Sequence, residues 1–159
     1  MAFRVLDSSA FYAGIPFSSN EPSYITSLIH DEIEHIKKDH DAIRILIETK
    51  RLTVCDPEHR FIIIVNDAAK KSGDFPNLSD EDISSIALSL QLEAELVTDD
   101  FAISNVAKNL NIKVIPVMTN GIKNVVIWKY YCSGCKTNFS NVAECPRCGN
   151  RLKRKPMKN

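Results

Sequence analysis

Apolar residues recur along this chain in two textures: short runs closed by acids or turn residues, and longer stretches where they return every three or four positions. Phe3–Leu6 is a short run stopped by Asp7-Ser8-Ser9, which predicts a buried first strand whose C-terminal end carries a carboxylate and opens a helix. Residues 14–23, GIPFSSNEPS, read as a loop. From Ser27 onward Leu28, Ile29, Ile33 and Ile36 keep helical spacing, and Ile43, Leu46 and Ile47 repeat the pattern beyond Asp39-His40-Asp41, so two amphipathic helices are expected. Leu52–Cys55 is a strand candidate ended by Asp56-Pro57. The apolar stretch 58–71 is long for a strand and reads as a helix stopped by Gly73. After the turn at 74–77, Ser79 with Asp82 three residues on resembles a capping box, and Ile83, Ile86, Ala87 and Leu90 form the buried face of the helix it opens. A strand at Leu96–Thr98, the pair Asp99-Asp100, a helix through Leu110 and a strand at Lys113–Val117 follow. Strand and helix alternate throughout, which predicts an α/β fold with a mostly parallel sheet covered on both faces.

The texture changes near residue 119, where TNGIKN is turn chemistry; Val125–Tyr131 is a β-rich run leading straight into a cysteine. The expected boundary lies between Thr119 and Val125, dividing the chain into residues 1–122 and residues 123–159. At 159 residues, with 44% hydrophobic and 25% charged positions, the chain suits one ordinary domain and a small appendage that needs separate help to fold. No apolar run is long enough to cross a bilayer, and the start breaks into Asp7 and two serines too early for a secretory segment, so a cytoplasmic protein with no membrane partner is the expectation. The formal net charge of zero conceals a division: residues 128–159 carry eight Lys or Arg against Glu144 alone, leaving +7 there and −7 on residues 1–127. An acidic body can gather carboxylates around cations while a basic end attracts phosphates; RLKRKPMKN also reads as a solvated, frayed terminus.

The appendage has its own chemistry. Cys132-x-x-Cys135, nine residues, then Cys145-x-x-Cys148 followed by glycine are two knuckles that present four soft thiolates to one tetrahedral ion, each with a glycine to relieve its turn. A segment this small cannot bury enough surface to fold unaided, and metal binding supplies the missing free energy, on the order of 10 kcal/mol. One zinc per chain is the expectation; two disulfides suit an oxidising compartment, and a rubredoxin-like iron site shares the Cys-Pro-x-Cys-Gly run. Cys55 stands apart and reads as a small buried hydrophobe.

A second constellation is acidic. Sites on parallel sheets form outside the carboxyl ends of the strands, where this chain places Asp7 and Asp99-Asp100. Glu32, within the helix from Ser27, and Asp82, in the first turn of the helix from Ser79, are positioned to join them. Taken singly, each is also a helix cap or one charge on a solvated face. Four converging carboxylates repel by roughly several kcal/mol at low effective dielectric unless a divalent cation sits among them, and an all-oxygen set suits magnesium or manganese.

L-D-S-S-A-F at the start, Ile29-x-x-Glu32-Ile33, Leu78-Ser79-x-x-Asp82 and Leu96-Val97-Thr98-x-Asp100 together resemble the PIN-domain ribonucleases over nearly the whole of residues 1–117. The resemblance implies that Asp7, Glu32, Asp82 and Asp100 are acidic metal ligands, that Thr98 is a small hydroxyl residue beside them, and that Asp99 can substitute for Asp100 or reach metal through water. It implies an endoribonuclease that hydrolyses phosphodiesters to 5′-phosphate and 3′-hydroxyl ends, with no histidine needed as a base; His30, His35 and His40 read as surface or half-buried residues. With a four-cysteine ribbon and basic end added, the chain is similar to the Nin-one-binding family of ribosome-biogenesis endonucleases in its compact archaeal form, most of all over residues 78–110, and it lacks the long insertion of eukaryotic members. That implies precursor small-subunit ribosomal RNA as substrate, cut to its mature 3′ end, with the pre-ribosomal particle and ribosome-assembly proteins as partners. Arg147, Arg151, Lys153, Arg154 and Lys155 would hold phosphates, while Trp128, Tyr130, Tyr131 and Phe139 either stack on bases or form the ribbon's core. A toxin-type PIN nuclease, a catalytically silent RNA-binding scaffold and an electron-transfer protein are the competing readings.

Overall fold

A computed structural model describes residues 3–36, 40–139 and 144–157, with Ile36 and His40 placed by backbone alone. Five short parallel strands form the main sheet in the order β3-β2-β1-β4-β5: β1 Arg4–Leu6, β2 Ser23–Ile25, β3 Leu52–Val54, β4 Glu95–Val97 and β5 Val114–Ile115. Helices α1 Ser8–Tyr12, α2 Ile15–Ser18, α3 Ser27–Ile36, α4 His40–Glu48, α5 His59–Ser72, α6 Asp80–Leu92 and α7 Phe101–Asn109 connect them. The two strands at the centre alternate between two cores. Val5 and Leu96 pack with Val65, Ile86 and Ile103 of α5, α6 and α7, whereas Leu6 and Val97 pack with Phe11, Ile29 and Leu46 of α1, α3 and α4. Burial on both faces explains why the strands read as apolar runs without alternation.

The helix boundaries follow their local signals. Ser79 caps α6 in a complete capping box with Asp82, and Gly73 ends α5 in the left-handed conformation at φ 81°. The loop expected over 14–23 is corrected. It holds the short helix α2, and β2 begins at Ser23, pairing with both β1 and β3. A three-residue strand that opens on serine behind Pro22 is too short and too polar at its start to show a period. The strands expected at Lys113–Val117 and across Val125–Tyr131 are also shorter than read, at Val114–Ile115 and Trp128–Tyr131. Asp39, between the two predicted helices, lies outside the described residues, as does Lys158.

Beyond residue 119 the chain wraps back over α7. Asn105 donates to the Val126 carbonyl (2.6 Å) and accepts from its amide (2.7 Å), and the Lys108 ammonium bonds the Ile122 carbonyl. A second, antiparallel sheet follows in the order β7-β6-β8, from β6 Trp128–Tyr131, β7 Asn138–Phe139 and β8 Lys153–Pro156. Lys153–Pro156 of the basic end is therefore a paired strand rather than a frayed segment: Trp128–Tyr131 runs alongside Pro156–Lys153. This sheet rests on the C-terminal end of α5. Tyr130 is buried, donates its hydroxyl hydrogen to the Gly73 carbonyl and accepts from the Asn77 side chain (3.1 Å).

Gly73, at the end of α5, lies directly against β6, since a β-carbon there would lie 2.5 Å from the Trp128 carbonyl oxygen and 2.9 Å from its Cβ. Gly14 shares the positive φ but faces open space. Gly14→Ala should therefore cost about 1 kcal/mol for conformation alone. Gly73→Ala should cost that and at least about 1 kcal/mol more for the clash, and equilibrium urea unfolding of the two variants measures the difference.

Candidate active site and metal centre

Strand order reverses between β1 and β4, because the chain runs outward from β1 through β2 and β3 and then returns to the other side of β1. Such a reversal leaves a crevice beyond the carboxyl ends of the two neighbouring strands. Asp7 and Thr98 are the residues that follow them. Asp7 is 2% exposed; its Oδ2 accepts from the Thr98 hydroxyl, and its Oδ1 accepts from the Ser9 hydroxyl (2.7 Å) and the Ala10 amide (3.0 Å). Thr98, itself buried, also accepts from the Asp100 amide at 3.0 Å.

Helix N-termini supply the rest. Asp7 caps α1, Asp100 caps α7 by accepting from the Ile103 amide (2.9 Å), and Asp82 accepts from the Ser79 amide (2.9 Å) in the first turn of α6. The capping interpretation of these three acids is thus realised, and it does not compete with their gathering: the partial positive charge at each helix start is what lets carboxylates be drawn together. Their fields overlap. Burial raises Asp7 above the ordinary carboxylate range, opposed by its three hydrogen bonds and reinforced by Asp100. Burial likewise raises Asp82, with Asp100 and Asp7 adding to it, and raises Glu32, with Glu81, Asp82 and Asp7 adding. Among the described residues none of Asp7, Glu32, Asp82 and Asp100 forms an ion pair with a lysine or arginine. Nor do three of them close to within 4.8 Å of one another, a spacing reached only by the four cysteines and by His30, Asp31 and Glu34. The acids form an open, uncompensated cluster. An all-oxygen donor set of this kind suits a hard divalent cation, magnesium or manganese, which keeps part of its water shell.

Asp99 is placed elsewhere. Its carboxylate accepts from the amides of Val117 (2.7 Å), Met118 (2.8 Å) and Thr119 (3.3 Å) and from the Thr119 hydroxyl (3.0 Å). Burial would raise its pKa, but these bonds outweigh burial and hold it below the ordinary range. It ties down the loop after β5 rather than facing Asp7. Three groups near the cluster were not singled out from sequence. Glu81 acts on Glu32, Tyr12 is raised by burial and by Glu32, and Ser9 bridges the Asp7 carboxylate to the Asp99 amide (3.3 Å). Ser9 was legible in the Asp-Ser-Ser run; Glu81 and Tyr12 depend on how helices pack. His30 is half-buried beside Glu34 (3.4 Å), and His35 is exposed.

All five cysteines of the chain are free of disulfides, and in the second unit the sulfurs of Cys132, Cys135, Cys145 and Cys148 converge. Cys135 and Cys145 lie 3.7 Å apart, close to the edge of about 3.8 Å expected for a tetrahedron with metal–sulfur bonds of about 2.3 Å. Both knuckles turn through a left-handed residue just after their second cysteine: Gly149 in one and Lys136, rather than Gly134, in the other. Gly134 serves a different need, since a β-carbon there would come 3.6 Å from the Cys132 sulfur and 3.0 Å from Asn150. Contacts with Thr137 bring the Cys135 thiol down to about 6, whereas Cys148, facing three other sulfurs, is pushed up to about 12. Four thiols this close cannot all ionise without a cation. The four-cysteine group fits zinc.

Of the basic residues expected to meet RNA, Arg147, Arg151, Lys153, Arg154 and Lys155 are all exposed. Arg154 sits over the Trp128 ring at 4.2 Å and Lys155 over Tyr131 at 5.1 Å. Tyr130 belongs to the ribbon's core. Cys55 is half-buried and packs against the core beside α5 and α6.

The family model described as the PIN domain of ribonuclease matches residues 5–92. The Endoribonuclease Nob1 of Methanocaldococcus jannaschii is 37% identical over 163 residues, spanning 100% of this chain and 80% of that protein. That of Pyrococcus abyssi is 32% identical over 157 residues, spanning 97% and 94%. Ribonuclease VapC1 of Thermoplasma acidophilum is 38% identical over 123 residues, spanning 77% of this chain and 63% of its own length.

The raised carboxyls have a defined pH signature. Ordinary values are 3.8 for Asp7 and Asp82 and 4.5 for Glu32, so above these the unfolded chain has lost protons that the folded chain retains. Their contribution to stability is full below that range and declines as pH rises through the raised values. Without added magnesium or manganese, the thermal midpoint of Asp7→Asn should gain on that of the parent protein as pH is raised from about 4 to about 7. A difference that stays constant across the range would contradict the electrostatic account.

Proposed function

Since the chain belongs to the PIN-domain ribonuclease family and to its Nob1 branch, we propose that it is a divalent-metal-dependent endoribonuclease of ribosome biogenesis that cleaves precursor small-subunit ribosomal RNA to form the mature 3′ end. The observation that carries this reading is the acid cluster at the strand-order reversal, where Asp7, Glu32, Asp82 and Asp100 share one field with no basic partner among the described residues. Those four would hold the catalytic cation. A bound magnesium or manganese ion supplies Lewis-acid stabilisation of the charge that develops on phosphoryl oxygens during phosphodiester hydrolysis to 5′-phosphate and 3′-hydroxyl ends. The chain's own part is preorganisation. Thr98 and Ser9 lock the Asp7 carboxylate in one orientation, the capped helix starts fix Asp82 and Asp100, and α3 brings Glu32 in from the side.

We assign residues 1–122 to the nuclease unit and residues 123–159 to a zinc ribbon holding one zinc through Cys132, Cys135, Cys145 and Cys148. Arg147, Arg151, Lys153, Arg154 and Lys155 would grip RNA phosphates, with the pre-ribosomal particle and ribosome-assembly proteins as partners. This reading is favoured over a toxin-type nuclease because the Nob1 relatives align along 97% and 100% of the chain, ribbon included, whereas VapC1 aligns along 77%.

Asp7→Asn and Asp82→Asn should lower manganese-dependent cleavage of a single-stranded precursor fragment more than about a hundredfold, beyond what loss of an outer-shell partner costs, while each variant keeps its unfolding midpoint within a few degrees. Gel mapping of the new RNA ends tests both the rate and the product chemistry; a variant that cuts at the parent rate removes its residue from the set. Cys132→Ser should release the zinc, read by atomic absorption, and leave the main unfolding transition of the five-stranded sheet in place.

A further inference from the structure

Between the turn Phe75–Asn77 and the ribbon lies a cleft of about 240 Å3 lined by Pro76, Asn77, Tyr130, Arg151, Leu152 and Arg154. It is smaller than the roughly 300–1,000 Å3 of pockets that enclose a whole small molecule, and suits one sugar-phosphate unit of a longer strand passing over it. One wall is the turn and the other the ribbon, and the two are tied together by Tyr130, which bonds both Gly73 and Asn77.

Two features connect this cleft to the acids. Asn77 stands two residues before Ser79, the cap of the helix that carries Asp82. On the other side, Arg154 sits over the Trp128 ring at 4.2 Å, and Trp128 meets Phe101 edge-on at 6.3 Å; Phe101 immediately follows Asp100. A stack of arginine, tryptophan and phenylalanine thus ends at a member of the acid cluster. The stack is anchored, because Trp128 presses on Gly73 and Val126 is clasped by Asn105.

Arg154 has some internal use, since it lies near enough to buried Asp74 to oppose, after Ser72 and Asn105, the rise that burial imposes on that carboxyl. That does not account for Arg151. Among the described residues neither arginine forms an ion pair, and both line one small cleft. A planar guanidinium matches phosphate oxygens bidentately.

We propose that this cleft is a phosphate subsite for the RNA strand beside the cut bond, in which Arg151 and Arg154 hold the backbone and the fixed stack sets its distance from the acids. The proposal rests on the nuclease reading above. Arg154 is a binding residue whose place is set by Trp128, not a group that touches the reacting atoms.

The test is fluorescence anisotropy with a 5′-labelled short single-stranded oligoribonucleotide, using the zinc-loaded full chain in the Asp7→Asn background so that binding is read without cleavage. Arg154→Ala should weaken binding about tenfold or more and reduce the slope of log affinity against log salt by about one. Arg154→Lys should restore only part of it, because lysine keeps the charge but not the bidentate, ring-stacked geometry. Arg151→Ala, on the exposed lead-in to β8, should weaken binding comparably and covers the case in which Arg154→Ala loses zinc. Arg44→Ala, on α4, should bind as the parent does. Parental binding by Arg154→Ala with zinc retained, or by Arg151→Ala if zinc is lost, overturns the subsite, and full rescue by Arg154→Lys overturns the stacked guanidinium as its basis. Cleavage of the same RNA by the parent protein with manganese is run in parallel: its failure counts against the nuclease reading, whereas parental binding by the arginine variants alongside normal cleavage counts against the subsite alone.

Discussion

Just beyond the paired ends of β1 and β4 the Thr98 hydroxyl donates to a carboxylate that water barely reaches. An aspartate so buried is stable only if its oxygens are satisfied, and Asp7 draws on three donors from two separate stretches of chain to achieve this. The bond from Thr98 has a second effect. Thr98 also receives the Asp100 amide, so the end of β1, the end of β4 and the start of α7 are fixed to one another through a single hydroxyl. Everything proposed for the acid cluster depends on that knot, since it holds Asp100 where its charge acts on Asp7.

The main fold was readable because its signals are local. Helix α6 announces itself by a capping box and α5 by a terminal glycine, and both lie where the pattern places them. Asp7, Asp82 and Asp100 come together for a similar reason, because they stand at a strand end or a helix start and in a parallel sheet those positions share one edge; Glu32, inside α3, joins them only through the way that helix packs. What escaped has no local signature. Strand β2 is three residues long and starts on a buried serine, so no period could reveal it. The orientation of Asp99 depends on a loop eighteen to twenty residues away folding back beneath it. Tyr130 is fixed by a carbonyl 57 positions distant, which is why its aromatic ring, equally suited by composition to stacking on a base, could not be assigned to the core in advance.

The junction between the two sheets is polar where an interior would ordinarily be greasy. Asp74 is fully buried, and its Oδ2 accepts from Ser72 (2.7 Å) and Asn105 (2.6 Å); Asn105 in turn clasps Val126. The Trp128 indole nitrogen and Asp74 Oδ1 both lack a partner at hydrogen-bond distance, yet the indole is near enough to help hold the carboxylate's pKa down against burial. Directional contacts of this kind specify one arrangement of the ribbon against α5 and α7 in a way that a sliding apolar contact would not.

The separation in sequence between β1 and its two neighbours has a consequence for how the molecule comes together. Arg4 pairs with Ser23 on one side and with Glu95 on the other. Closing the longer loop costs about 1.4 kcal/mol more in chain entropy than closing the shorter one, and that cost must be met before the central pairing gives anything back. The half-sheet β3-β2-β1 can therefore assemble early with its helices, while the Thr98–Asp7 bond, spanning 91 positions, forms only when β4 docks. A chain still emerging from the ribosome can hold Asp7 and Glu32 in a nearly finished half-domain and yet have no complete acid cluster until α6 and β4 arrive. Completion of the acid cluster thus waits on the docking of β4 and the start of α7, so that a chain synthesised only as far as α5 lacks it by topology alone.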